Sequence, residues 1–445
     1  MGRREYFFTL FPLIIAPVSA IIYVWYFPVK LSQREEHLMI YRVDTNSLEA
    51  GIISELEKLN IYDCHEHLPS EEEWLSQNHD AFTLFSHYCQ HDLYTGGMDK
   101  PLQNKVLWSE GDLDWKWQQF EPYYNAMKDT CYCRAAHITL EKFYGVPELT
   151  RDNYRAVSEA VAANATPGVY SRFLRDACGI EKAINCDGQW DCTEGGLLAQ
   201  TVWIAHATNH GDLLEYFGKV PQSAAEAVFL ARERLTAAAK AGVVGMKMFA
   251  FDTTPATEAE AEEAFRILAS SPDADLPRGN AFNRFLKRAQ MYAAGELGLA
   301  CCVHTGYWND YRELNPAGLL PFIRRNHFHR IDLYHMGYPY VREAIMLGKV
   351  WPGVRVNMAW TYLISRKFAF DALDEMLEML PDNKIFGFGG DYYVPDKVYG
   401  HLCMARECIA SVLAEKIRRR EMTLERAVHH GTRMLRDNPR EFYNF

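Results

Sequence analysis

The sequence predicts an α/β fold, a closed (β/α)8 TIM barrel with a mostly helical insertion after its first strand and a separate hydrophobic segment at the N-terminus. Three observations predict it. Eight short apolar runs recur along the chain: NIYDCHEHL (60–68), KAINC (182–186), QTVWIA (200–205), VVGMKMF (243–249), LACCV (299–303), IDLYH (331–335), VRVNMAW (354–360) and KIFGFGG (384–390). Between the later runs lie helical patterns such as AAEAVFLARERLTAAAKAG and AFNRFLKRAQMYAAGELG, each closing on a glycine suited to cap a helix C-terminus. Several runs end in imidazole or carboxylate, where a barrel carries its reactive groups. Alternating strands and helices imply a parallel sheet, and eight such units imply closure.

The N-terminus is a separate object. From Tyr6 to Phe27 the chain carries no charge, and as a helix it would reach about 33 Å, enough to span a hydrocarbon core. Arg3 and Arg4 precede it, the order that signal peptides and signal anchors share, so residues 1–28 read as one or the other. Val18-Ser19-Ala20 resembles a cleavage site, but the apolar run continues through Ile21 to Phe27, which favours an uncleaved anchor. The expectation is a membrane tether through residues 6–27, or export. A start near Met39 would instead give a cytoplasmic chain. Residues 29–45 read as a polar linker and 46–445 as the barrel.

Residues 71–180 exceed any ordinary loop after a strand and are rich in helical and aromatic patterns (DAFTLFSHYCQHDLY, DWKWQQFEPYYNAM, NYRAVSEAVAAN). They read as an insertion over the C-terminal mouth of the barrel, placed to cover a substrate. Nothing repeats at a fixed period.

With 445 residues, 48% of them hydrophobic, the chain can bury a large core. Its formal charge of −11 repels phosphate backbones and argues against nucleic acid as a partner. Eleven cysteines are too sparse for a disulfide scaffold and odd in number, and neither Cys131/Cys133 nor Cys301/Cys302 has knuckle spacing, so they read as buried structural thiols.

The chemistry should lie at the strand ends. His65 and His67 flank Glu66, so both imidazoles point to one face while Glu66 points to the other. LACCVHTG ends in His304, LYHMG contains His335, and FGFGGD ends in Asp391. Neutral imidazoles and a carboxylate form the ligand set of a catalytic divalent metal rather than the thiolate set of a structural zinc. Lys247, on the fourth run, is flanked by apolar residues. It is either a modified lysine ligating metal or one whose ammonium reaches solvent or a substrate carboxylate. His87 and His91, four apart on a helical pattern of the insertion, are candidates to touch substrate. Tyr307, Trp308, Arg324 and Tyr392 would suit a small polar or carboxylated molecule. His327 and His329 precede their strand and read as structural; His429 and His430 read as solvated.

These residues, in this order, resemble the amidohydrolase superfamily over roughly residues 50–445. The C-terminal half is similar to its metal-dependent decarboxylases, and the insertion to relatives of uronate isomerase. The resemblance implies that His65, His67, His304 and Asp391 ligate a divalent ion, zinc before manganese or iron, with His335 orienting or protonating substrate. It implies a metal-dependent hydrolase in which Asp391 takes a proton from the attacking water and His335 stabilises the oxyanion. Isomerisation of a uronate and decarboxylation are the alternatives on the same barrel, and a catalytically silent binding protein is a third reading. The expected partner is a small-molecule substrate, with homo-oligomerisation open.

Overall fold

The computed structural model describes residues 40–186, 190–308 and 310–445. The expected anchor at 6–27 and most of the linker lie outside the described residues. Among the described residues, no helix is long and apolar enough to cross a membrane.

Eight parallel strands follow one another in sequence order: β1 (Ile61–Glu66), β2 (Ile180–Asn185), β3 (Leu198–Trp203), β4 (Gly245–Phe249), β5 (Ala300–His304), β6 (Ile331–Tyr334), β7 (Val354–Asn357) and β8 (Ile385–Phe386). Each arises within or beside one of the eight apolar runs. Their residues are buried almost throughout, as a sheet covered on both faces requires. The chain beyond β8 then runs along β1. Cys64 N donates to Phe388 O (3.1 Å), Asp391 N to His65 O (2.7 Å) and His67 N to Tyr392 O (3.1 Å). This seam needs glycine: a Cβ on Gly389 would stand 2.6 Å from Ala359 Cβ and 3.0 Å from His65 Cβ.

Side chains fill the barrel. Cys64, Ile184, Ala300, Cys302, Tyr334 and Phe386 pack inside it, and Phe442 and Tyr443 from the C-terminal helix Asn438–Tyr443 join that cluster and plug the floor. The outer helices begin and end where the sequence indicates. Ser223 and Asn280 cap Ala224–Lys240 and Ala281–Glu296, and Gly242 (φ +91°) and Gly298 (φ +73°) follow their last turns in the left-handed region. All eleven cysteines are free, nine of them buried, so no disulfide frames the fold.

Between β1 and β2 the chain forms helices Glu71–Leu75, Tyr88–Thr95, Lys100–Leu107, Leu113–Met127, Cys131–Tyr144 and Tyr154–Asn164. They share an aromatic core in which Phe120 meets Phe82, Phe85 and Tyr124 at ring separations of 5.3, 5.2 and 5.1 Å. Lys116 and Asp80 form a buried ion pair within it (2.6 Å). The layer docks on the barrel mouth: Tyr88 stacks on Trp360 beyond β7 (4.8 Å), and Lys397 Nζ beyond β8 donates to Ser86 O (2.8 Å).

Candidate metal centre

β1 delivers two histidines through an irregularity. Cys64 packs inside the barrel, so strict alternation would turn His65 outward. The β1–β2 pairing shifts register between Asp63 and Glu66, and His65 faces inward as well, stacked on Tyr334 (4.2 Å). Register shifts of this kind re-aim side chains beside active sites. Asp63 and Glu66 turn to the seam instead. Asp63 Oδ1 accepts from His65 N (3.0 Å) and Gly390 N (3.2 Å), and Glu66 Oε2 accepts from Tyr392 N (2.7 Å).

Three of the expected ligands converge. Asp391 Oδ1 lies 3.2 Å from His65 Nε2 and 3.4 Å from His67 Nε2, and one donor atom from each residue falls within 4.8 Å of the others. Burial pushes the Asp391 carboxyl up, but the His65, His335 and His67 imidazoles outweigh it and hold the carboxyl well below the carboxylate range. Burial also keeps the imidazoles neutral: His67 is lowered to about 4, His65 well below its ordinary value, with Lys247 adding to both. Neutral rings offer the nitrogen lone pairs that a metal requires.

Two more histidines stand beside this triad. His304 and His335, at the ends of β5 and β6, face each other at 4.3 Å, and each keeps Nε2 buried with no hydrogen-bond partner among the described residues. The geometry alters the expected part of His335. Its Nδ1 lies 3.1 Å from the Ala359 carbonyl, which can only accept, so Nδ1 carries the proton and Nε2 is a bare lone pair. Burial lowers the ring to about 4, so at neutral pH His335 offers an acceptor rather than the proton that an oxyanion needs. Lys247 also differs from one of its expected readings. It is buried, with Nζ 3.0 Å from His65 Nε2 and 4.4 Å over the Tyr334 ring, and its amine does not reach solvent.

His87, from the insertion, is buried and stacks on Tyr88 (4.1 Å) and against Tyr393 (4.2 Å), while His91 lies farther out against Trp308 (5.4 Å). Tyr307 stacks on Trp360 (5.2 Å), Trp308 edges His304 (6.3 Å), and Tyr392 is buried under Lys397 Nζ (4.6 Å). Arg324 is exposed beyond the short helix Leu320–Ile323 and shares none of these contacts. His327 Nε2 meets Arg324 O (2.8 Å) and His329 packs on Phe322 (5.1 Å), both before β6, while His429 pairs with Asp382 (3.0 Å).

Tyr88, Trp360 and Cys186 also adjoin the centre, and no motif in the sequence marks them. Tyr88 faces Asp391; burial, then the charge and hydrogen bonding of that carboxylate, raises the phenol well above its ordinary range. Trp360 edges His335 (5.3 Å), and Cys186 Sγ meets His65 Nδ1 (3.3 Å). Backbone strain gathers here too. Among the described residues, eight non-glycine residues lie at positive φ, and five of them surround the centre: His87, His335, Met336, Trp360 and Asp391.

The convergence of imidazole and carboxylate at the C-terminal mouth of a (β/α)8 barrel defines a class of metal-dependent barrel enzyme. The amidohydrolase family model matches residues 62–445, and the chain belongs to that family. Among solved structures it is similar to uronate isomerase from Thermotoga maritima (TM-score 0.75, 14% identity, 91% of this chain and 98% of that one). It is similar as well to glucuronate isomerase from Caulobacter crescentus (0.74, 18%, 91% and 96%) and to a protein assigned as a metal-dependent hydrolase from Lactobacillus casei (0.64, 15%, 88% and 97%). At these identities the likeness is one of fold. Protein fluG of Emericella nidulans is 27% identical over 147 residues, a match spanning 32% of this chain and 17% of that protein.

Proposed function

We propose that the chain is a metal-dependent hydrolase acting on a small polar or carboxylated molecule. The observation that carries the reading is the convergence of His65 Nε2, His67 Nε2 and Asp391 Oδ1 beside the bare, buried Nε2 atoms of His304 and His335. This set of nitrogen and oxygen donors fits a divalent ion. Zinc suits it best by the general affinity order, and manganese and iron are compatible. His65, His67 and Asp391 would hold the ion, with His304 and His335 as the further ligands within reach.

When bound, such an ion supplies Lewis acidity, which brings the pKa of water to about 7 and polarises a carbonyl. The side chains do the rest. Asp391, ionised, takes the proton of the attacking water and returns it to the leaving group. Tyr88, kept protonated, donates to Asp391 and holds the carboxylate in line. Trp360, Tyr307 and Trp308 form an aromatic wall that stacks against substrate and keeps bulk water from the reacting carbonyl.

The isomerase reading uses the same residues, and the helical layer over the mouth supports it, because likeness to the two isomerases extends over nearly their whole length. Elemental analysis of wild type beside the His65→Ala/His67→Ala double variant comes first, followed by a screen of amides, esters and lactones, uronates, and aromatic carboxylates in deuterated water. A divalent ion lost in the variant, with bond cleavage that stops on chelation, is expected. Solvent deuterium incorporated without cleavage would favour isomerisation. Folded wild type that takes up neither zinc nor manganese, or turnover undiminished by chelation, would overturn both readings.

A further inference from the structure

A cavity of about 500 Å³ opens beside the centre, among the loops that follow β3, β4 and β5. A cavity of this size accommodates a small organic ligand. Trp203, Phe249 and Phe251 give it an aromatic floor, and none of His65, His67, His335 or Asp391 lines it. Phe249 is the dividing wall, its ring 5.1 Å from that of His304.

Lys287 enters this cavity from the helix Ala281–Glu296. It is 8% exposed, with Nζ 5.0 Å over the Phe251 ring. The polar residues one turn to either side are matched: Asn283 Nδ2 donates to Arg278 O (2.7 Å), and Gln290 bonds both the amide and the carbonyl of Ala205 (2.8 and 2.9 Å). Lys287 Nζ has neither an ion pair nor a hydrogen-bond acceptor among the described residues.

The acids around the cavity are already engaged. Glu313 faces Arg278 (3.7 Å), Asp252 faces Arg284 (3.9 Å), and Asp212 accepts from Thr208 N and Oγ1 (2.6 and 2.9 Å). His206, at the rim, adds no negative charge. Burial, reinforced by Arg278 and only partly offset by Glu313, pushes the Lys287 ammonium down to about 8. An ammonium buried without a counter-ion in direct contact destabilises the fold, and such costs concentrate where a ligand provides what the protein omits.

We infer that this cavity binds a small organic anion, with its carboxylate seated on the Lys287 ammonium and its apolar body against Phe251, Phe249 and Trp203. The inference does not depend on which reaction the metal centre performs.

Benzoate has the required shape and charge, and benzamide is its neutral counterpart. Calorimetric titration of both into the metal-loaded protein tests the site, with Lys287→Met and His67→Ala variants alongside. Benzoate should bind wild type at least about tenfold tighter than benzamide and lose at least about tenfold in Lys287→Met, a difference of about 1.4 kcal/mol. His67→Ala, which disables the centre, should bind benzoate as wild type does. Lys287→Met removes a buried charge, so thermal unfolding should show it at least as stable as wild type. Three results would overturn the inference: no benzoate binding by wild type, equal binding by Lys287→Met, or loss in His67→Ala, which would assign the carboxylate to the metal centre.

Discussion

Asp332 and Asp391 are both buried inside the same barrel, one near its floor and the other at its mouth, and their charges are set in opposite directions. Asp332 Oδ2 accepts from the Tyr443 hydroxyl (2.7 Å) and Asn357 Nδ2 (3.0 Å), two neutral donors. Burial outweighs them and lifts the carboxyl to about 7. Asp391 faces three imidazoles instead, at 3.2, 3.4 and 3.7 Å, and stays ionised. Burial alone therefore does not decide ionisation; the groups that converge on the carboxylate do. The same convergence makes the mouth a place for a metal and leaves the floor a plug.

Removing the imidazoles should break this contrast most severely. His65→Ala/His67→Ala should lose its bound ion by elemental analysis and more than about a hundredfold in turnover, since partners one step removed from a metal already cost ~10–100-fold. At the floor, the folded Asp332 carboxyl holds its proton more tightly than the unfolded one. Stability from this group is therefore present at low pH and is lost as pH rises from about 4 to about 7. Asp332→Asn should gain on wild type across that window, by up to a few kcal/mol, in urea denaturation at pH 4 and pH 8. Tyr443→Phe leaves Asp332 one donor short and should cost about 1–2 kcal/mol in the same measurement, with metal content unchanged. The smallest change tests the boundary between the two regions. Cys186→Ala removes the contact to His65 Nδ1 and should weaken metal retention against a chelator by about tenfold or less.

Much of this arrangement was legible in the sequence because its signals are local. An apolar run ending in His or Asp names both a strand and a candidate ligand, so β1, β5, β6 and the turn after β8 could be placed with their side chains. The spacing that sets His65 and His67 against Glu66 was legible for the same reason, but the register shift that turns His65 inward beside Cys64 was not. Tyr88 and Trp360 were not, because an aromatic residue in a helical pattern or at a strand end resembles core until the insertion is folded over the mouth. Nor was the protonation of His335, which depends on the Ala359 carbonyl beyond the next strand. Lys287 was equally silent: its lack of a partner is a property of the assembled cavity rather than of any motif.

The seam between β1 and the chain beyond β8 has a topological consequence. Glu66 and Tyr392, bonded across it, are 326 residues apart. A cation shared by His65, His67 and Asp391 would join those same two stretches, so it would act on the unfolded chain as a cross-link closing a very long loop. Such a clasp favours the folded ring by an amount that grows with the logarithm of the free ion concentration once this exceeds the dissociation constant, and it ties the last-made segment of the barrel to the first. Amide exchange at His67 and Asp391, whose N–H groups span the seam, would then report ion release as a local unzipping of the ring.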